Sequence, residues 1–136
     1  MTYENFLIKL KKYQPYEETA SEKICLLNSV SVLNFNNNYK YDFETSDNIK
    51  YEVKTDEMSL RTNNFFIEFL GYSKPSGIAT TEAKFYILSD TKIYYLIEVE
   101  ILKKIIIDKP ILTTRDGLTM GHIVKRNIIK ENSVLI

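Results

Sequence analysis

Three side chains in the stretch YKYDFETSDNIKYEVKTD, residues 39–56, have the types and spacing to act together on a phosphate: Asp42, Glu52 and Lys54. Glu52 and Lys54 are two residues apart and so share one face of a strand, and the alternation of apolar and charged residues around Asp42 predicts a second strand beside it. Mg²⁺ takes oxygen ligands, usually one or two carboxylates with water and substrate phosphate. The three residues therefore outline a metal site, in which the lysine would position an attacking water and neutralise charge developing on a phosphate.

The register of the two strands follows from a three-residue loop, SDN, with Asn48 in the left-handed conformation. The pairs that this loop predicts are Thr45 with Ile49, Glu44 with Lys50, and Asp42 with Glu52. Two acids opposite each other repel, and a bound cation would turn that repulsion into shared coordination. The alternative is an ordinary solvated strand face, on which alternating Lys and Glu need no function.

Length and composition limit the class of protein. The chain has 136 residues, 44% hydrophobic and 26% charged, which predicts one globular domain over residues 1–136. Its formal net charge is zero, so nucleic acid would have to be met by a local patch. Cys25 is the only cysteine, which excludes an internal disulfide and a multi-cysteine metal site. No signal peptide or membrane span is recognised, so we expect an intracellular, cytoplasmic protein without a membrane partner.

The first half of the chain reads as helices followed by a strand meander. Apolar residues at helical spacing from Glu4 predict a helix that Pro15 stops. Thr19 and Glu22 have the spacing of a capping box that begins a second helix, ending near Asn28. The apolar stripes of these helices are Phe6, Leu7 and Leu10, then Ala20, Ile24 and Leu27. Predicted strands cover residues 29–35, 39–44, 49–54 and 63–70, with a turn at Asn36–Asn38.

The second half predicts buried strands with short helices. A helix can start near residues 76–81, continuous apolar strands follow at 85–89 and 92–99, and residues 99–107 are a helix or its start. The tail has turn glycines at 117 and 121 and a short edge strand. Helices, a meander and then more buried strands predict an α/β fold, a three-layer α/β/α sandwich with a mixed central sheet.

The segments YDF, YEVKTD, NNFFIEF and KPSGIATTEAKFYIL together resemble the PD-(D/E)XK nuclease superfamily, and particularly its small phage-type endonuclease-like proteins. The resemblance runs from about Asn34 to Leu88, with weaker support from RDG and GHIV near the end. It implies a restriction-endonuclease-like α/β/α fold and Mg²⁺- or Mn²⁺-dependent hydrolysis of DNA. Asp42 matches the family's first metal-binding aspartate, Glu52 its second carboxylate and Lys54 its lysine. Tyr41 stands in place of the motif's proline, a common substitution in the superfamily.

Further site residues follow from the resemblance and from local chemistry. The family often adds an acid from the first core helix, for which Glu18 and Glu22 are candidates, although capping accounts for Glu22. Glu68 joins the site through an adjacent strand or is simply solvated. The remaining candidates are DNA contacts, with capping or surface charge as the alternative explanation: Arg61, Lys74, Ser76, Gly77, Thr80 and Thr81.

Three functions stay open at this point. The first is a metal-dependent DNA endonuclease. The second is a catalytically inactive module with the same fold that binds DNA or protein. The third is an unrelated α/β domain, in which Asp42 and Glu52 are not neighbours in space. Because the net charge is zero, a homo-oligomer that combines basic edges from several chains is also open.

Overall fold

The computed structural model describes residues 3–36 and 40–136 and is α/β with a mixed sheet. The α-helices of the described residues are α1 (Tyr3–Asn28), α2 (Ser59–Thr62), α3 (Val99–Ile106) and α4 (Arg126–Glu131). The strands are β1 (Val32–Phe35), β2 (Phe43–Thr45), β3 (Lys50–Thr55), β4 (Asn64–Gly71), β5 (Lys74–Pro75), β6 (Phe85–Ser89), β7 (Tyr94–Glu98), β8 (Ile111–Thr113), β9 (Thr119–Lys125) and β10 (Val134–Leu135). No helix of the described residues is long and apolar enough to cross a membrane.

Two sheets organise these strands. The main sheet has the order β1-β2-β3-β6-β7-β10, in which β3 and β6 are parallel and the other pairs antiparallel. The second sheet has the order β5-β4-β9-β8 and is antiparallel. A parallel pair needs a crossover connection, and here the crossover from β3 to β6 runs through α2, β4, β5 and a 3₁₀ turn at Gly77–Ala79. The crossover therefore carries the chain into the second sheet and back.

The apolar core lies in two clusters. One contains α1 and main-sheet residues: Ala20, Ile24, Phe43, Tyr51, Val53, Ile87 and Tyr94. The other joins the main sheet to the second sheet, α3 and α4, and includes Phe65, Ile67, Tyr86, Leu88, Tyr95, Ile97, Leu102, Val124 and Ile129. Burial of apolar area is the main stabilising term in such a layered arrangement. The hairpin of β2 and β3 therefore packs into the buried core through Phe43, Tyr51 and Val53.

The predicted hairpin register is confirmed. Glu44 pairs with Lys50, the Thr45 N–H donates to the Ile49 carbonyl at 3.0 Å, and Asn48 has a φ of 64°. Asp42 lies just before the first residue of β2, and its N–H donates to the Tyr51 carbonyl at 2.8 Å. The predicted Asp42 pairing with Glu52 therefore falls beyond the end of the strand ladder. Asp42 is therefore not paired with Glu52 in the ladder, and its carboxylate can turn toward β3.

The prediction for the first helices is wrong. Pro15 lies inside α1, which continues to Asn28, so Thr19 is a mid-helix residue and forms no capping box. A proline removes only one helical hydrogen bond, and packing of Ala20 and Ile24 against the main sheet favours the continuous helix. Leu27, predicted to be in the apolar stripe, is 53% exposed. The Phe6, Leu7 and Leu10 side chains, residues 37 and 38 of the predicted turn and residue 39 of the predicted strand lie outside the part of the chain that the structure describes.

The second half departs from prediction mainly in the second sheet. The helix expected near residues 76–81 is only the 3₁₀ turn, and Gly121 lies inside β9 instead of in a turn. Strand β8 and helix α4 were not predicted. The strands at 85–89 and 94–98 and the helix at 99–106 are confirmed. Strand β8 pairs antiparallel with the next strand β9, with Leu112 opposite Gly121, so the turn predicted at Gly121 excluded this hairpin.

Candidate functional site

Strand β3 and the start of β2 bring Asp42, Glu52 and Lys54 together. The Lys54 Nζ lies 3.3 Å from Glu52 Oε1. Asp42 Oδ2 accepts a hydrogen bond from the Val53 N–H at 2.6 Å, so its carboxylate is fixed against the strand between the other two residues. The residues that the sequence predicted as the centre of the site therefore form one charged group, which we call the acidic group.

Burial raises the pKa of both carboxylates of the acidic group. Glu52 is 6% exposed, and burial raises its pKa to about 7, a change that Lys54 opposes and Asp42 reinforces. Burial also raises the pKa of Asp42, against the hydrogen bond from Val53 and the charge of Lys54. A low-dielectric site disfavours a charged form that lacks a partner. The pair would ionise more readily beside another cation.

Lys54 remains an ammonium in this setting. Its side chain is 40% exposed, and the burial of the rest works to lower its pKa. The carboxylates of Glu52 and Asp42 outweigh that effect, and the pKa of Lys54 is raised. Lys54 is therefore suited to hold a water or a phosphate oxygen and unsuited to act as a free base.

The helix acid near this group is Glu17, which sequence reasoning missed. Burial raises the pKa of Glu17 to about 7, with Asp42 adding to the rise and Lys54 opposing it. The two predicted helix acids, Glu18 and Glu22, are exposed, and Glu18 accepts a hydrogen bond from Gln14. Position 17 lies one turn before Ala20, but the predicted second helix begins at Thr19, so Glu17 falls in the predicted break between the two helices.

Glu68 of β4 also interacts with the acidic group, since its charge acts to raise the pKa of Lys54. The Ser76 hydroxyl donates to Glu68 Oε2 at 2.8 Å. Gly77 has a φ of +55°, and a Cβ there would lie 2.3 Å from the Glu68 carbonyl oxygen. The Ser-Gly pair thus packs tightly on Glu68 and gives its carboxylate a fixed partner.

The other predicted phosphate contacts are dispersed. The Thr80 hydroxyl donates to the Gly77 carbonyl at 3.5 Å, and the Thr81 hydroxyl donates to the Lys40 carbonyl at 3.1 Å. These hydroxyls therefore bind backbone carbonyls, and neither lies at the N-terminus of an α-helix. Arg61 in α2 and Lys74 in β5 are exposed surface cations on either side of β4.

The acidic group fits a hard divalent cation. Glu52 Oε2 is buried and has no hydrogen-bond partner among the described residues, and buried polar atoms are otherwise nearly always paired. The described residues contain no set of three or more His, Cys, Asp and Glu side chains arranged as a metal cluster. The protein's share of the ligands would then be the two carboxylates of the hairpin, a number that Mg²⁺ commonly accepts.

Comparisons with known proteins add no identification. No protein-family model matches the chain, and the search of curated proteins found no match. The functional interpretation therefore rests on the geometry and charge of the site.

Proposed function

We propose that this protein is a metal-dependent DNA endonuclease of the PD-(D/E)XK superfamily, which hydrolyses phosphodiester bonds. The observation that carries the proposal is the unpartnered, buried Glu52 Oε2 beside the carboxylate of Asp42 and the ammonium of Lys54. Leaving a buried polar atom without a partner is unfavourable for folding. Such an arrangement is retained where a ligand completes it.

The fold proposal is the three-layer α/β/α sandwich of the same superfamily. The main sheet would be its central layer, with the parallel β3–β6 pair at the middle. Helix α1 packs on one face through Ala20, and helices α3 and α4 pack in the opposite cluster through Leu102 and Ile129. The second sheet shares that opposite layer and would be an addition to the sandwich.

In the proposed reaction, Asp42 and Glu52 hold Mg²⁺ or Mn²⁺. When bound, the ion would polarise the phosphoryl oxygen and lower the pKa of the attacking water. Lys54, oriented by Glu52 Oε1 at 3.3 Å, donates a hydrogen bond that positions this water, and its charge stabilises the phosphate in the transition state. Glu17, with a pKa of about 7, is suited to accept a proton near neutral pH.

DNA would be held through local contacts because the chain has no net charge. The exposed Arg61 and Lys74 on the elements flanking β4 are the proposed backbone contacts. Each such contact fixes the register of the nucleic acid without reading its sequence.

The test is cleavage of supercoiled plasmid and linear DNA with Mg²⁺, Mn²⁺ or EDTA. We expect metal-dependent nicking that falls by about a hundredfold or more in Asp42→Asn and in Lys54→Ala. The amide oxygen of the Asp42→Asn variant would still accept the Val53 hydrogen bond, so this substitution removes charge alone. Lys50→Ala, which removes a lysine from the same strand outside the acidic group, should retain cleavage.

A folded Asp42→Asn protein that nicks DNA at the parent rate would overturn the proposal. If no plasmid, linear or branched DNA is cut, and Mg²⁺ and Mn²⁺ leave the thermal unfolding midpoint unchanged, the inactive binding module becomes the better explanation.

A further inference from the structure

A cavity of about 740 Å³ opens beside the acidic group and runs along the second sheet. Its volume is in the range of pockets that hold small organic ligands. Lys54 and Glu68 line it, so a group inside it would lie next to the proposed reaction centre. Much of the wall is apolar, contributed by Met58, Phe66, Leu112 and Ile123.

Phe66 gives this wall a fixed aromatic ring. Its neighbours Phe65 and Ile67 are buried in the core, so strand alternation places Phe66 on the other face of β4 together with Glu68. Gly121 lies on the adjacent strand β9, and a Cβ there would be 2.6 Å from two carbons of the Phe66 ring. Glycine at this position leaves the room that the ring occupies, so the ring packs directly against the backbone of β9.

Cations line the same cavity as the ring. Lys54 does so from β3, and the exposed Arg115 does so from the turn after β8. We propose, on the basis of the nuclease function above, that this cavity binds an unpaired nucleobase stacked on Phe66, with its flanking phosphates near Arg115 and Lys54. The substrate class that follows is DNA with unpaired nucleotides at the cleavage site.

An unpaired base fits these features better than a duplex does. A paired base exposes only its edges, and its ring face becomes accessible only after unstacking. Stacking on an aromatic side chain is tolerant of sequence because every base has a π-face. Thr62, Asn64 and Thr114 also line the cavity and offer hydrogen-bond donors and acceptors to a base edge.

The experiment measures binding in EDTA, where cleavage is excluded. Three DNAs of one sequence are compared: a blunt duplex, the duplex with a one-nucleotide bulge, and the duplex with a single-stranded flap, with 2-aminopurine at the unpaired position. We expect the bulged and flapped DNAs to bind about tenfold more tightly than the blunt duplex, with quenching of the 2-aminopurine fluorescence.

The variants separate stacking from general packing. Phe66→Leu keeps an apolar side chain without a ring and should lose most of the tenfold preference, whereas Phe66→Tyr should retain it. Phe35→Ala removes an exposed phenylalanine outside the cavity and should behave as the parent. Arg115→Ala should weaken binding and reduce the salt dependence by about one phosphate contact. Thermal unfolding of each variant verifies that it is folded.

Equal binding of all three DNAs, or a preference that Phe66→Leu leaves intact, would overturn the base subsite even if metal-dependent cutting is observed. Ring-dependent preference for unpaired DNA, without cutting of any DNA in Mg²⁺ or Mn²⁺, would support the subsite while overturning the nuclease function. The two proposals can therefore fail separately.

Discussion

Two buried carboxylates, Glu52 and Asp90, differ in how completely their charge is satisfied. Asp90 is 2% exposed, and its Oδ1 accepts hydrogen bonds from the Lys92 and Ile93 N–H groups, each at 2.8 Å. Its Oδ2 lies 2.9 Å from Arg126 Nη2. Burial acts to raise the pKa of Asp90, but these hydrogen bonds and the guanidinium outweigh it, and the pKa is lowered.

Arg126, the ion-pair partner of Asp90, also binds residues of neighbouring elements. Arg126 donates to the carbonyl and hydroxyl of Ser59 at 3.2 and 3.0 Å, and to Asn63 Oδ1 at 2.8 Å. Its guanidinium also lies 5.2 Å from the ring centroid of Phe65. This one cation therefore connects the end of β6, α2 and β4.

The carboxylate of Glu52, unlike that of Asp90, is incompletely paired. One oxygen contacts Lys54, the other has no hydrogen-bond partner among the described residues, and its pKa rises to about 7. A buried charge that is fully paired has a structural role. A buried charge that is incompletely paired is unfavourable for stability and marks a place for a ligand. Burial alone therefore does not distinguish a structural acid from a candidate ligand.

The largest expected effect that tests this contrast is on cleavage by Glu52→Gln. Activity with Mg²⁺ or Mn²⁺ should fall by about a hundredfold or more, because a charged ligand is lost. The thermal unfolding midpoint should stay the same or rise, since a neutral amide relieves both the burial of charge and the repulsion from Asp42. A large loss of stability in Glu52→Gln would instead make Glu52 a structural residue like Asp90.

Asp90→Asn should show the reverse pattern. We expect a loss of about 3 kcal/mol in the free energy of unfolding, measured by urea denaturation, because the half-buried Arg126 loses its buried counter-charge. The matched control is Asp108→Asn, which breaks the exposed pair with Lys109 and should leave the unfolding midpoint unchanged. An Asp90→Asn protein as stable as the parent would show that the ion pair between Asp90 and Arg126 contributes nothing to the free energy of unfolding.

The hairpin that carries the acidic group could be predicted from sequence because its determinants are local. Alternation in β3, an asparagine able to adopt a left-handed backbone and a short loop together fix which residues face each other. The same local information placed Glu52 and Lys54 on one face of the strand. Alternation in the strand predicted at residues 63–70 likewise places Phe65 and Ile67 on one face, and both are buried.

The helix acid and the second sheet could not be predicted in this way. The sequence rule that proline ends a helix separated residues 4–14 from 19–28, whereas packing on the main sheet keeps α1 continuous and brings Glu17 to Asp42. The second sheet depends on β4 pairing with β9 across more than fifty residues of chain. Local propensity carries no information on which distant strands will pair.

Glu17 and Glu18 offer a sharper test, because they are neighbours in sequence with different surroundings. Glu17→Gln should reduce metal-dependent cleavage by about tenfold, because a proton acceptor near the attacking water is lost while Asp42, Glu52 and Lys54 remain. Glu18→Gln, at an exposed position, should leave cleavage unchanged. Equal effects of the two substitutions would remove Glu17 from the acidic group. Rates measured from pH 6 to 8 should also show that Glu17→Gln alters the acid limb of the profile.

The smallest expected effect, compared per pH unit, is on the pH dependence of stability in EDTA. Glu52 has its pKa raised from 4.5 to about 7, so the folded state binds this proton more tightly than the unfolded chain. The contribution of Glu52 to stability should therefore fall as pH rises from about 4.5 to about 7 and then level off, by on the order of 1 kcal/mol per pH unit. Asp90 has a lowered pKa, so its contribution is present above about pH 4 and is lost as pH falls through its folded value.

Urea denaturation of the parent, Glu52→Gln and Asp90→Asn between pH 3 and 8 separates these contributions. Glu52→Gln should reduce the slope between pH 4.5 and 7, where Glu17 and Asp42 also contribute because their pKa values are raised, and Asp90→Asn should flatten the loss below pH 4. Adding Mg²⁺ at pH 8 should stabilise the parent and not Glu52→Gln, because a ligand that binds only the folded state stabilises it. A slope in Glu52→Gln as steep as that of the parent would mean that the carboxylate of Glu52 is no less satisfied than that of Asp90, and the contrast between the two buried acids would disappear.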